Sequence, residues 1–356
     1  MACLTFPLIK LRRMRLRSIA AAACGWMNWR PRLFPALILL LPVLTLAASL
    51  LIATPAFSFL PQLTSSQPDH WNLTSPTAFP IWDLNPSTSG AHISGSQSVA
   101  QVMQASFGTW TGAPNTAASV LRGPDSSVTQ EKNSPSNINL ICFVCSDAPF
   151  GGTETLAVTV TTTANGPGAS DGHGGTTQFA GQIIKGDISF NPSTQFDTGG
   201  GTGQDLQTVA THEIGHFFGL DHSAVVRAVM FPFAPNVLTT LGYDDVAGIA
   251  SLYPQGTPDV ATGSISGKVT LSGSAVFGAH VFANSTTPAL AFTNIRKTPI
   301  GTLTLPDGTY TISGVPPDSY LVVAEPLDLP VSDSDVSWAS EFNQAKVQTN
   351  FTTRWH

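Results

Sequence analysis

Residues 212–222 read His212-Glu213-Ile214-Gly215-His216-Phe217-Phe218-Gly219-Leu220-Asp221-His222. On a helix, His212 and His216 lie four residues apart and project from one face, where one cation can bind both imidazoles. Gly219 lets the chain leave the helix through a left-handed turn that a Cβ would resist. His222 can then swing back as a third ligand. Three protein ligands leave a fourth position for water, the pattern of catalytic rather than structural zinc sites. Glu213, next to His212, is not needed as a ligand and can take a proton from that water. Glu213 is thus the candidate catalytic residue, and His212, His216 and His222 are the candidate metal ligands. Two surface histidines on an ordinary helix would leave Glu213, Gly219 and His222 in register by chance.

Working outward, Asp205 is placed to cap a helix that Gly219 stops, and Leu206, Val209, Ala210, Ile214 and Phe217 form one apolar stripe along it. Upstream, 79–85 reads as a strand, and Ser98 precedes a helix in which Val99, Met103, Phe107 and Trp110 recur at helical spacing. Two β-branched strands are predicted at about 138–144 and 155–163, then a Gly-rich loop over 164–175 and another strand over 181–191. Downstream, Asp244 and Asp245 place acid at the start of a short helix that Pro254 ends. Beyond 262 the sequence alternates between short strands and turn clusters, with no helix expected. The fold class expected is α+β followed by a small all-β sandwich.

The stretch resembles the metzincin metalloproteases and, within them, the matrixins. Asp221-His222-Ser223 is similar to the matrixin third-ligand step, Ala228-Val229-Met230-Phe231-Pro232 to the Met-turn, and Asp244-Asp245-Val246-Ala247-Gly248-Ile249 to the start of the last helix. The resemblance covers residues 75–254. It implies a twisted mixed sheet with an active-site helix, one catalytic Zn2+ and zinc metalloendopeptidase activity on protein or peptide substrates. Phe231 stands where most matrixins carry Tyr. Gln178 and Ser189 stand where structural-zinc histidines are expected. Asp171-Gly172 with Gly174-Gly175 resembles a calcium loop, which makes Ca2+ a further candidate beside the alternative of a plain Gly-rich turn. No cysteine-switch sequence is present and no folded pro-domain is expected. Residues 263–330 resemble the carboxypeptidase regulatory-like β-sandwich, through the run 263–269, Asp307-Gly308-Thr309-Tyr310 and Gly314-Val315-Pro316-Pro317.

The chain of 356 residues has a net charge of −6. Residues 1–56 hold seven basic side chains and no acid, which leaves nine basic against 22 acidic beyond them. An acidic body repels phosphate, so nucleic acid is not an expected partner. Residues 33–60 are uncharged and follow Arg30 and Arg32. This reads as a secretory signal cleaved after Ala56, in preference to an uncleaved anchor; either exports the rest. Membrane contact is expected only through that segment. The organisation expected is a signal peptide or signal anchor (1–56), a linker (57–74), the matrixin-like domain (75–254), a linker (255–262), the β-sandwich (263–330) and a tail (331–356). The composition of 255–262 suggests that a chain ending near 256 would fold and work alone. Cys142 and Cys145 read as strand thiols or a local disulfide. A surface adhesion or scaffold protein with an inactive metalloprotease-like domain is the competing functional reading. Glu213 speaks against it, because binding alone has no use for a carboxylate beside the first ligand.

Overall fold

Three helices and a mixed sheet frame the HEIGH segment in the computed structural model, which describes residues 59–356 apart from 132–134, 136, 149, 151–153, 235–236, 288–293, 338–341 and 343–345. The expected leader, 1–56, lies outside the described residues. Among the described residues, no helix is long and apolar enough to cross a membrane.

The main sheet is built on β1 (Ile81–Leu84), β2 (Asn139–Cys142), β3 (Ala157–Thr163) and β4 (Gln182–Phe190). β1, β2 and β4 run parallel, and two-residue strands at His70–Trp71 and Leu121–Arg122 extend the ladder at either side. β3 is antiparallel to β4, from the Ala157–Phe190 pair to the Thr163–Ile183 pair, with a bulge at Thr162/Thr163. The mixed sheet agrees with the expectation, and each strand is two or three residues shorter than its sequence pattern. Cys142 and Cys145 form a disulfide at the end of β2.

Helix α1 (Val99–Thr111) starts at a capping box in which Ser98 accepts from the Gln101 backbone and the Gln101 side chain accepts from the Ser98 N–H. Helix α2 (Leu206–Phe217) starts at Asp205, whose carboxylate accepts from the Thr208 N–H at 2.7 Å. The predicted stripe Leu206, Val209, Ala210, Ile214 and Phe217 is buried throughout, each large apolar side chain adding roughly 1.5–3 kcal/mol. Two buried indoles fix α2 from the sides. Trp110 Nε1 donates to the Thr211 carbonyl at 2.7 Å, and Trp71 Nε1 donates to the Phe217 carbonyl at 2.8 Å.

Helix α3 (Tyr243–Leu252) begins earlier than its apolar pattern suggests, because Gly242 rather than an acidic residue is its N-cap. After it come β5 (Gly263–Lys268), β6 (His280–Ser285), β7 (Ile300–Leu303), β8 (Thr309–Val315) and β9 (Tyr320–Glu325). β5 pairs antiparallel with β8, while β7, β6, β9 and a short strand at Arg354–Trp355 form a four-stranded antiparallel sheet. As expected, no helix follows α3 among the described residues.

These C-terminal strands share one apolar cluster with the helices. Val281, Ile300, Ile312 and Val315 belong to it together with Val246 and Ile249 of α3. The Asp244 carboxylate accepts the Gly301 N–H at 2.8 Å. The run 255–262 is tied down through Asn115, whose side chain donates to the Val260 carbonyl and accepts the Val260 N–H, both at 2.9 Å. Within 331–356, Val331, Val336 and Val347 are buried in a second cluster with Leu60, Leu63, Leu303 and Leu327.

Candidate metal centre

His212, His216 and His222 come together with ring centroids 4.8–5.2 Å apart. One potential ligand atom from each lies within 4.8 Å of the others, the one such His/Cys/Asp/Glu group of three or more among the described residues. His212 and His216 meet because the helix repeat stacks them. His222 joins them because α2 ends in a Schellman turn: the Gly219 N–H bonds the His216 carbonyl at 2.9 Å and the Leu220 N–H bonds the Gly215 carbonyl at 3.0 Å. Gly219 has φ +98°, and a Cβ there would overlap the Asp69 carbonyl oxygen.

Each ring is oriented by a backbone carbonyl at Nδ1. His212 Nδ1 pairs with the Val229 carbonyl at 2.7 Å, His216 with Leu220 at 2.8 Å and His222 with Asp335 at 2.5 Å. A carbonyl can only accept, so each Nδ1 carries its proton, and in the neutral ring Nε2 is then the atom whose lone pair can ligate a metal. Burial, with the nearby His222, lowers His212 to about 3, and burial with both neighbouring rings lowers His216 well below its ordinary value. The donor set therefore fits a zinc ion: three imidazoles, oriented from behind, with space in front.

Val229 and Met230 pack against α2, at His212 and at Gly215. Asp245 Oδ2 accepts the Val229 N–H at 2.9 Å and the Gly242 N–H at 2.7 Å, while its Oδ1 accepts the Met230 N–H at 3.2 Å. Asp245 thus holds the peptide whose carbonyl orients His212. Gly215 leaves room for the Met230 sulfur, which a Cβ at that position would strike.

Glu213 is buried at 6% exposure and points into the same cleft. Thr159 on β3 donates from Oγ1 to Glu213 Oε2 at 2.6 Å. Burial pushes the Glu213 carboxyl up to about 7, and the Thr159 hydrogen bond acts in the opposite direction. The cleft has a volume of about 720 Å³. It is bounded by Leu156 and Ala157 at the start of β3, by His212, Glu213 and His222, by Val229 and residues 231–234, and by Asp335. Sequence reading missed Thr159 and Asp335. Thr159 stands in a run of threonines with nothing to single it out, and Asp335 lies 113 residues from its partner His222.

The Gly-rich loop is closed on itself. Asp171 Oδ1 accepts the His173 and Gly175 N–H groups at 2.9 and 2.8 Å, and its Oδ2 accepts from Thr77 Oγ1 at 2.6 Å. The candidate calcium loop gains no support from this arrangement, which is that of a plain Gly-rich turn. Gln178 is occupied with the Thr176 carbonyl, and Ser189 with Glu131.

Residues 157–254 match the matrixin family model. A hatching enzyme of Paracentrotus lividus is 41% identical over 92 residues, which are 25% of this chain and 16% of that protein. Metalloendoproteinase 1 of Glycine max is 40% identical over 73 residues, 20% and 22% of the two chains. A matrilysin of Rattus norvegicus is 39% identical over 93 residues, 25% and 33% of the two. The chain thus spans from 16% to 33% of the length of these curated relatives. Over residues 157–254, from the edge strand through the three histidines to the end of α3, the chain is similar to the matrixins.

Proposed function

We propose that the protein is an exported zinc endopeptidase whose ligands are His212, His216 and His222 and whose general base is Glu213. The observation that carries this reading is the orientation of the three imidazoles, each with Nδ1 spent on a carbonyl, around a cleft that also holds a buried carboxylate. When bound there, zinc polarises a scissile carbonyl and lowers the pKa of an attacking water to about 7.

The chain's own residues supply the rest. Glu213 takes the proton of the attacking water and delivers it to the leaving amine. Thr159 holds that carboxylate toward the cleft. β3 pairs with β4 on one side, and its first residues line the cleft, so an extended peptide can lie along it by strand addition. Val229 and Phe231 give the facing wall an apolar lining that suits a hydrophobic side chain beside the cut bond. The matrixin match over 157–254 supports the same reaction class. The uncharged stretch 33–60 supports export, with the catalytic part outside the membrane in either the secreted or the anchored form.

The test is metal analysis of the purified protein together with cleavage of casein with and without a chelator, on wild type and Glu213→Gln. One zinc in both, and activity lower by about 10²–10⁴ in the variant, is the expected result. Near wild-type turnover in Glu213→Gln would remove the mechanism.

A further inference from the structure

The carbonyl partners of the three histidines come from different depths of the sequence. Leu220 is four residues from His216, and Val229 is 17 from His212. The partner of His222 is Asp335, beyond the last long strand. A second link lies one residue away. Asp221 Oδ2 accepts from both the Ser337 N–H, at 2.8 Å, and the Ser337 Oγ, at 2.7 Å, while its Oδ1 accepts the His222 N–H at 2.8 Å. Residues 331–337 are themselves a closed turn. Asp335 Oδ2 accepts the Ser332 N–H and Oγ at 2.8 Å, and the Asp335 N–H donates to the Ser332 carbonyl at 3.1 Å. Val331 and Val336 anchor the turn in the apolar cluster of Leu303 and Leu327.

We propose that residues 331–337 are the positioning element of the third metal ligand, with the Asp335 carbonyl setting the tautomer and direction of His222 and the Ser337–Asp221 clasp holding the loop that carries it. This rests on the zinc reading above. His212 and His216 are held by the peptidase-like part itself, whereas His222 depends on a segment that the matrixin-like stretch does not contain. Metal retention in this protein is accordingly a property of the full chain. Groups that orient a metal-bound imidazole from behind are typically worth 10–100-fold in metal affinity.

The experiment compares full-length wild type, Asp335→Ala/Ser337→Ala, Asp335→Asn and Val347→Ala. The double variant removes the bonds of the Asp335 carboxylate to Ser332 and the hydroxyl half of the clasp, leaving only the backbone bonds of each. Asp335→Asn keeps an acceptor for Ser332. Val347→Ala loosens the same apolar cluster without touching either bond. Zinc loss to a coloured chelator is followed in each. The His222 tautomer is read from imidazole ¹⁵N shifts in the metal-free proteins. Expected are zinc loss at least about tenfold faster in the double variant, near wild-type rates in Asp335→Asn and Val347→Ala, and an Nδ1–H His222 in wild type that becomes mixed in the double variant. Zinc loss within roughly twofold of wild type in a folded double variant, equal acceleration by Val347→Ala, or an Nε2–H His222 in wild type would each overturn the proposal. Should the double variant not fold, Ser337→Ala alone, which removes one of the two clasp bonds, carries the same comparison. A wild-type protein that takes up no zinc would defeat the peptidase reading, while the tautomer of His222 in the metal-free chain would still decide this one.

Discussion

Thr159, on the strand that edges the cleft, donates its hydroxyl to Glu213 Oε2 at 2.6 Å across 54 residues of sequence. This bond favours the ionised carboxylate, against a burial that pushes the carboxyl up to about 7. Thr159→Val removes the donor and keeps the shape, so the Glu213 pKa rises. The expected outcome is an acidic limb of the kcat/KM profile displaced to higher pH, with roughly a tenfold loss near neutrality, in keeping with one pKa unit per factor of ten. An unmoved limb would mean that Thr159 contributes only packing.

Gly219→Ala places a methyl group on the Asp69 carbonyl oxygen at a backbone φ of +98°. Left-handed backbone strain of about 1–3 kcal/mol adds to the steric overlap. Because the Schellman turn also presents the Leu220 carbonyl to His216, the variant is expected to lose stability and zinc together. A melting temperature within a few degrees of wild type, with zinc retained, would contradict this account.

The Asp244 carboxyl, fully enclosed between Ser223 and Gly301, is raised to about 8 by burial and by the neighbouring Asp245. A folded pKa above the unfolded one means that the folded state keeps a proton the unfolded state releases. The associated stability is present below about pH 4 and is lost as pH rises through about 8. Asp244→Asn keeps an acceptor for the Gly301 N–H, can donate to Ser223 Oγ where the carboxylate accepted from it, and has no proton to lose. Its melting temperature is therefore expected to gain on wild type between pH 5 and 9, by several degrees, since 1 kcal/mol moves Tm by roughly 2–4 °C in a domain of this size. Parallel pH profiles for the two proteins would rule out Asp244 as the titrating group.

Truncation after residue 256 is expected to fail, against the impression left by the Pro/Gly/Thr composition of 255–262. It uncovers Val246, Ala247 and Ile249 of α3, which pack in one cluster with Val281, Ile312 and Val315. It also takes away the Gly301 N–H from Asp244 and the Asp335 carbonyl from His222. Aggregation, or a chain without a cooperative thermal transition, is the outcome anticipated by calorimetry. A soluble, active fragment would show that the shared cluster is dispensable.

What could be read from the residues alone was whatever is local. The helix repeat stacks His212 over His216, Asp205 caps the same helix, and Gly219 ends it, all within 15 residues, so backbone geometry suffices to group them. Alternation and β-branching located the strands to within a few residues, since a pleated half-buried surface selects such side chains. The tertiary structure decided which distant groups complete the site. Thr159 meets Glu213 because β3 pairs antiparallel with β4 beside α2, and Asp335 meets His222 because 331–337 folds back over the loop after Gly219. Neither residue has a pattern that marks it, because a hydroxyl donor or a backbone carbonyl serves from any sequence whose fold brings it within 3 Å. The same holds for the sharing of one core across 255–262. Linker-like composition describes local chain chemistry, whereas whether Val281 and Ile312 bury against α3 depends on where the sheets pack.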